Sequence, residues 1–229
     1  MFGKNPLRKQ DLGHPDALRV KAIFHTIQGE GPNAGHPAIF IRLGGCNLAC
    51  SFCDTDFETD LAVMTVDAII AEVTSYPNVH LVVVTGGEPM IQDIFPLCAA
   101  LSQDYDYRVQ IETAGTVWVP GINDVAEIVC SPKTGAVHQS IQLHAGAWKY
   151  IIRAGEQSLD DGLPAFSTQT PGRPNVLARP FADDSAIYVQ PMDEGDVALN
   201  AANQAAAVAA CLKYGYLLSL QQHKIIGVE

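Results

Sequence analysis

Ala38-Ile-Phe-Ile-Arg42-Leu-Gly-Gly-Cys46-Asn-Leu-Ala-Cys50-Ser-Phe52-Cys53-Asp54-Thr55 joins an apolar, β-branched run to two glycines and three cysteines. The run Ala38–Leu43 reads as a buried strand, and Gly44-Gly45 ends it, so the cysteines sit at a strand end. Their spacing is C-x3-C-x2-C. Thiolates are soft ligands that suit zinc or iron–sulfur iron. A structural zinc site normally has four ligands, often as two C-x2-C pairs, and the chain has no second pair. Cys98, Cys130 and Cys211 lie in apolar surroundings and read as core residues. Three thiolates can hold three irons of a [4Fe–4S] cube and leave the fourth iron open for a small molecule.

Outward from this loop, the same strand-then-polar-cluster pattern recurs. Candidate strands are Val20–His25, Ala38–Leu43, His80–Val84, Arg108–Ile111, Glu127–Cys130, Trp148–Ile152, Ala186–Val189 and Tyr216–Leu220. Between them, Thr65 caps a helix over Val66–Ser75, and Ala198–Tyr214 is a second helix stopped by Gly215. Ile94–Leu101 is a third. Strands separated by helices predict an α/β chain with a mainly parallel sheet or partial barrel. The strands run into Gly44-Gly-Cys46, Thr85-Gly-Gly-Glu-Pro89, Glu112-Thr-Ala-Gly-Thr116, Ser131-Pro-Lys133, Arg153, Gln190-Pro-Met-Asp193 and Gln221-Gln-His-Lys224. In a parallel sheet these ends share one rim, where ligand sites lie.

The chain has 229 residues, 48% hydrophobic and 17% charged, enough to bury a sizeable core. Its 14 basic and 25 acidic side chains leave a net charge of −11, which argues against a nucleic-acid backbone as the main partner. Met1–Gln10 lacks the apolar stretch of a signal peptide. The longest apolar run, Ala205–Leu212, is far short of the roughly 20 residues that cross a membrane. The expectation is a cytoplasmic protein with reduced thiols, without nucleic-acid or membrane partners. Residues 1–19 read as a loosely ordered polar extension, 20–229 as one domain, and 154–184 as a Pro/Gly-rich surface excursion without a placeable motif.

The cysteine spacing, with Phe52 before the last cysteine, resembles the signature of the radical S-adenosylmethionine (SAM) enzymes. Thr85-Gly86-Gly87-Glu88-Pro89 is similar to that superfamily's SAM-binding glycine motif. Its glycines permit close backbone approach, and Glu88 offers a carboxylate to a cationic amino group. Glu112 is either a ligand of SAM's amino group or ribose, or a solvated strand-end carboxylate. Taken with Gln28-Gly29-Glu30-Gly31, Arg42, Asp54-Thr55, Ser131–Lys133, Gln190-Pro191 and Gln222-His-Lys224, the set resembles the 7-carboxy-7-deazaguanine synthase family from about Phe24 to Glu229.

That resemblance implies an abbreviated radical SAM partial (β/α) barrel with a β6/α3-type core, a [4Fe–4S] cluster on Cys46, Cys50 and Cys53, SAM and Mg²⁺. It implies conversion of 6-carboxy-5,6,7,8-tetrahydropterin to 7-carboxy-7-deazaguanine with loss of ammonia, SAM being regenerated. A 5′-deoxyadenosyl radical abstracts the substrate hydrogen. Ile27, Gln28, Gly29, Glu30, Arg42, Thr85 and His223 are expected at the substrate, together with the terminal carboxylate at Glu229. Phe52, Cys53, Asp54, Gly86, Gly87, Glu88, Glu112, Ser131, Pro132, Lys133, Gln190, Pro191, Met192 and Asp193 are expected at SAM.

Thr55 carries over as the magnesium ligand, while carboxylate chemistry alone favours Asp54 or Asp56. Glu30 reads otherwise as a turn carboxylate, Arg42 as one half of a strand-end ion pair, and Lys133 as a solvated lysine. The family also implies a homodimer and a reducing partner such as a flavodoxin. Rival functions are a glycyl-radical-enzyme activase and a non-catalytic iron–sulfur or zinc binding protein.

Overall fold

The computed structural model describes residues 6–53, 55–169 and 176–228. Their strands form one nine-stranded sheet. In chain order these are β1 (Ala17–Ile27), β2 (Pro37–Leu43), β3 (Ala62–Thr65), β4 (Leu81–Gly86), β5 (Arg108–Thr113), β6 (Glu127–Cys130), β7 (Ala145–Ile152), β8 (Ala186–Pro191) and β9 (Leu217–Leu218). The spatial order is β3-β1-β2-β4-β5-β6-β7-β8-β9. From β2 to β9 every neighbouring pair is parallel, whereas β1 is antiparallel to both β2 and β3. The result is a mixed α/β fold on a mainly parallel sheet, as the strand-and-helix pattern of the sequence predicts.

The helices are α1 (Val66–Thr74), α2 (Phe95–Ala99), α3 (Gln139–His144), α4 (Val197–Tyr214) and α5 (Gln222–Ile226). Thr65 caps α1 by accepting from the Ala68 amide, and Gly215 ends α4 at φ 78°. Asp196 caps α4 through the Ala198 and Leu199 amides. The predicted helix Ile94–Leu101 is shorter: α2 starts after Ile94 with a proline in its first turn and widens into a π-helix over Ala100–Asp104.

Alternation along the strands sorts their side chains. Ile39, Ile41 and Leu43 of β2, Val82 and Val84 of β4, Ile111 of β5 and Trp148, Tyr150 and Ile152 of β7 are buried in the main core. That core also takes Ile69 and Val73 of α1 and Leu97 of α2. Each such burial contributes about 1.5–3 kcal/mol. The intervening residues, Arg42, Thr85, Glu112, Lys149 and Gln190, turn to the opposite face and line a cavity. Leu81-Val-Val-Val84 is buried on both faces, which accounts for its unbroken apolar run.

Further segments differ from the sequence expectation. β1 begins at Ala17, before Val20, because Ala17–Val20 pair with β3, a four-residue strand that carries no strong pattern of its own. The predicted strand Tyr216–Leu220 contracts to Leu217–Leu218, since Ser219 turns inward to donate to Gln190 and accept from the Gly31 amide. Residues 154–184 do not lie wholly at the surface: Leu163, Ser167, Leu177 and Ala178 are buried. Ahead of β1, the Arg8 amide donates to the Cys46 carbonyl and the Asp11 amide to that of Ile91. Among the described residues no helix is long and apolar enough to cross a membrane.

Candidate active site

The cavity, of about 350 Å³, opens over the C-terminal ends of the parallel strands. Its cysteine-bearing loop follows β2 and is pinned from several sides. The Gly45 amide donates to the Phe57 carbonyl, and the Glu88 amide donates to the Gly45 carbonyl. Cys46, Cys50 and Cys53 all line the cavity, and none is in a disulfide. The Leu48 amide donates to Cys46 Sγ at 3.4 Å. Cys50 Sγ accepts from Gln169 Nε2 at 3.0 Å and from Thr168 Oγ1 at 3.2 Å.

Gly87 passes directly beneath this loop. A Cβ there would run into the Gly45 carbonyl oxygen and stand 2.8 Å from Cys46 Cβ. Gly87→Ala is therefore expected to lower unfolding free energy by about 1–3 kcal/mol, the usual cost of overpacking. Denaturant unfolding checks this, and an unchanged midpoint would show that the two loops separate freely.

Glu88 does not line the cavity. It is fully buried, and its carboxylate accepts from Thr113 Oγ1 at 2.8 Å, the Ala114 amide at 2.8 Å and the Met90 amide at 3.2 Å. Burial pushes its pKa up against those hydrogen bonds. Glu88 thus ties the β4 loop to the end of β5 rather than offering a carboxylate to the cavity.

Across the cavity lies a buried ionic triplet. Lys149 Nζ, on β7, stands 2.6 Å from Glu30 Oε2 and 2.8 Å from Glu112 Oε2. Glu30 Oε1 accepts from Gln190 Nε2 at 3.1 Å and from Gln221 Nε2 at 3.0 Å. Gln110 Nε2 donates to Glu112 Oε1 at 2.6 Å. Burial alone would raise the pKa of Glu30, but the Lys149 ammonium together with the Gln221 hydrogen bond and the charge of His223 outweighs it and holds the carboxyl down at about 2. Burial likewise works against the charge on Lys149, and the two carboxylates more than reverse it.

The first strand's end and the last helix meet here. The Gln222 amide donates to the Gly29 carbonyl, and a side chain at Gly29 would collide with His223. Gly29 is thus the bed on which His223 reaches the cavity. Arg42 stands 5.1 Å over the Phe24 ring, itself stacked on Phe40 at 5.4 Å. Lys133 Nζ caps its own turn by donating to the Ser131 carbonyl at 2.7 Å, and burial pulls its pKa down. Asp193 is tied to Lys224 at 2.6 Å.

Of the expected substrate residues, Ile27, Gln28, Glu30, Arg42, Thr85 and His223 line the cavity, as does Thr55. Of those expected at SAM, Phe52, Cys53, Gly86, Gly87, Glu112, Ser131, Lys133, Gln190, Pro191, Met192 and Asp193 line it. Gly29, Glu88 and Pro132 do not, and Asp54 and Glu229 lie outside the described residues. Asp56, a rival magnesium ligand, does not line it either. Its carboxylate accepts from the Glu58 amide at 3.0 Å and from Lys21 at 3.2 Å. Sequence reasoning passed over Lys149, Thr168 and Gln169, and placed Gln221 on the rim without a role; a lysine inside an apolar strand was the one available signal for the three.

Residues 40–167 match the Radical SAM superfamily. A 7-carboxy-7-deazaguanine synthase from Rhodospirillum rubrum is 42% identical over all of both chains. One from Bacteroides thetaiotaomicron is 47% identical over 92% of this chain and 98% of its own. The chain belongs to the 7-carboxy-7-deazaguanine synthase family. Among solved structures, QueE from Escherichia coli superposes with a TM-score of 0.67 at 25% identity, covering 89% of this chain and 93% of that one. Membership of the 7-carboxy-7-deazaguanine synthase family, and through it of the radical SAM enzymes, brings a [4Fe–4S] cluster and SAM. The residues present suit such a cluster: three free thiols share one cavity, against a glycine turn where a Cβ on Gly86 or Gly87 would collide with the neighbouring backbone.

Proposed function

We propose that this protein converts 6-carboxy-5,6,7,8-tetrahydropterin to 7-carboxy-7-deazaguanine with loss of ammonia, as a Mg²⁺-assisted radical SAM lyase. The observation that carries this reading is the convergence of the cysteine loop, the Gly86-Gly87 turn, Gln28, Glu30 and His223 on one cavity. When bound, the cluster on Cys46, Cys50 and Cys53 supplies the single electron that cleaves SAM. Among the described residues no three His, Cys, Asp or Glu side chains close around one metal ion.

The chain's own residues bind and orient. Phe52, Gly86, Gly87, Ser131, Lys133 and Gln190–Asp193 surround SAM, with Glu112 offering an anion to its cationic groups. Gln28 and Glu30 face the donor edge of the pterin, with Ile27, Thr85 and His223 completing its pocket. Arg42 pairs with the substrate carboxylate, for which a guanidinium is well shaped. Thr55 would offer its hydroxyl to Mg²⁺, a hard cation that the substrate carboxylate and water would also ligate. The engagement of Asp56 within its own turn supports Thr55 over that rival. Lys149 holds the two acidic walls together and keeps Glu30 ionised.

The same reading includes a cytoplasmic setting, a reducing partner such as a flavodoxin, and a homodimer. Exposed Leu217, Leu218, Ile225 and Ile226 on β9 and α5 support the dimer. The deciding experiment is mass spectrometry of an anaerobic reaction containing reconstituted protein, SAM, reductant, Mg²⁺ and carboxytetrahydropterin. Carboxydeazaguanine with little net loss of SAM is expected. Accumulation of deoxyadenosine alone would mean that the substrate is a different molecule.

A further inference from the structure

The β7–β8 crossover carries no recognisable motif, yet its residues 167–169 fold back onto the cysteine loop more than a hundred residues earlier. Gln169 Oε1 accepts from the Ala49 amide at 2.9 Å, and this fixes which way the amide points. Its NH₂ group then faces Cys50 Sγ at 3.0 Å and Thr168 Oγ1 at 2.9 Å. Thr168 Oγ1, already accepting from Gln169, must send its own proton outward. The Lys133 carbonyl, 3.3 Å away, is already served by Ser167 Oγ at 3.0 Å, and Cys50 Sγ at 3.2 Å is the nearer acceptor. The Ser51 amide donates to the Thr168 carbonyl, closing the clamp from the other side.

A ligating cysteine is a thiolate and can only accept. Two donors directed at one ligating sulfur draw electron density from it. They favour the more negative, reduced state of a cluster, because hydrogen bonds to cluster sulfurs are among the levers on reduction potential. We propose that Thr168 and Gln169 are positioning residues that raise the reduction potential of the cluster at Cys46, Cys50 and Cys53 through their hydrogen bonds to Cys50 Sγ. This rests on the cluster assigned under the proposed function. It accounts for a pair of polar side chains held in place by Ala49, Ser51 and Ser167 with their donors turned to one sulfur. The electron that starts each turnover must enter this cluster, so its potential governs which donors can serve.

The test is an anaerobic potentiometric titration of the reconstituted full chain, without SAM or substrate, followed by electron paramagnetic resonance and by iron content. Gln169→Leu is expected to keep its iron and to lower the reduced-to-oxidised ratio at a fixed poise about tenfold, a downward shift of about 59 mV for one electron. Thr168→Val moves the same way by less, and Thr168→Ser restores the original value. Unchanged potentials in both iron-loaded variants would overturn the proposal. So would loss of iron from the near-isosteric Thr168→Val, because the pair would then be needed to hold the cluster. An unmodified protein that takes up no iron would instead overturn the cluster assignment itself.

Discussion

Replacing Lys149 with methionine is expected to lower both turnover and stability by the equivalent of about 3 kcal/mol or more, the usual consequence of leaving buried charges unpaired. Glu30 and Glu112 then face one another across the cavity with no ammonium between them. The pH dependence separates this from a general packing defect. With Lys149 present, the Glu30 pKa is depressed, so its contribution to stability is present above the ordinary carboxylate range and fades as pH falls towards about 2. Without the ammonium, burial prevails and raises that pKa. Glu30 then destabilises the fold at neutral pH and ceases to do so once protonated. The stability gap between variant and parent should therefore be widest at neutral pH and narrow in acid, as read by denaturant unfolding. Lys149→Arg, which keeps the charge, should recover part of both losses. A gap independent of pH would show that methionine merely packs badly.

The second large effect concerns the thiols. Changing any one of Cys46, Cys50 and Cys53 to alanine should strip the visible iron–sulfur absorption and reduce product formation to the uncatalysed level. A cube left with two protein ligands has lost one of its three anchored irons. The remaining cysteines provide the contrast. Cys98 is fully buried and its pKa is pushed up to about 12, while Cys130 is equally buried and raised further. Burial raises the Cys46 pKa as well, so position separates the two sets: Cys98 and Cys130 stand away from the cavity that Cys46, Cys50 and Cys53 line, and serve as core atoms. Cys98→Ala and Cys211→Ala should retain full iron content and turnover. Iron loss on changing Cys98 or Cys211, or retention on changing Cys53, would refute the ligand set.

Much of this architecture was readable because its signals are local. Glu127–Cys130 forms a strand at the residues its apolar run marks, Thr65 caps α1, and Gly215 stops α4. The polar clusters that follow strands could be placed on one rim because parallel strands all end there. What escaped notice depends on partners distant in the chain. Lys149 lies inside a strand that was itself recognised, but Glu30 and Glu112 stand 119 and 37 residues away, so its meaning is tertiary. Thr168 and Gln169 sit in a stretch whose composition says only that it is irregular. Glu88 illustrates the converse, since a carboxylate in a glycine motif suggests a ligand group, and only its burial reveals an internal tie. β3 is too short to assert a period by itself and exists because β1 offers it an edge.

The hydrogen bond from Gln221 to Glu30 closes a loop of 191 residues. Contacts of such long sequence separation are costly to form early, and chains dominated by them fold slowly. During synthesis at about 5–20 residues per second, the three thiols emerge on the order of ten seconds before the last wall of their cavity is made. The order of synthesis therefore sets how long these thiols stand without the walls that later enclose them.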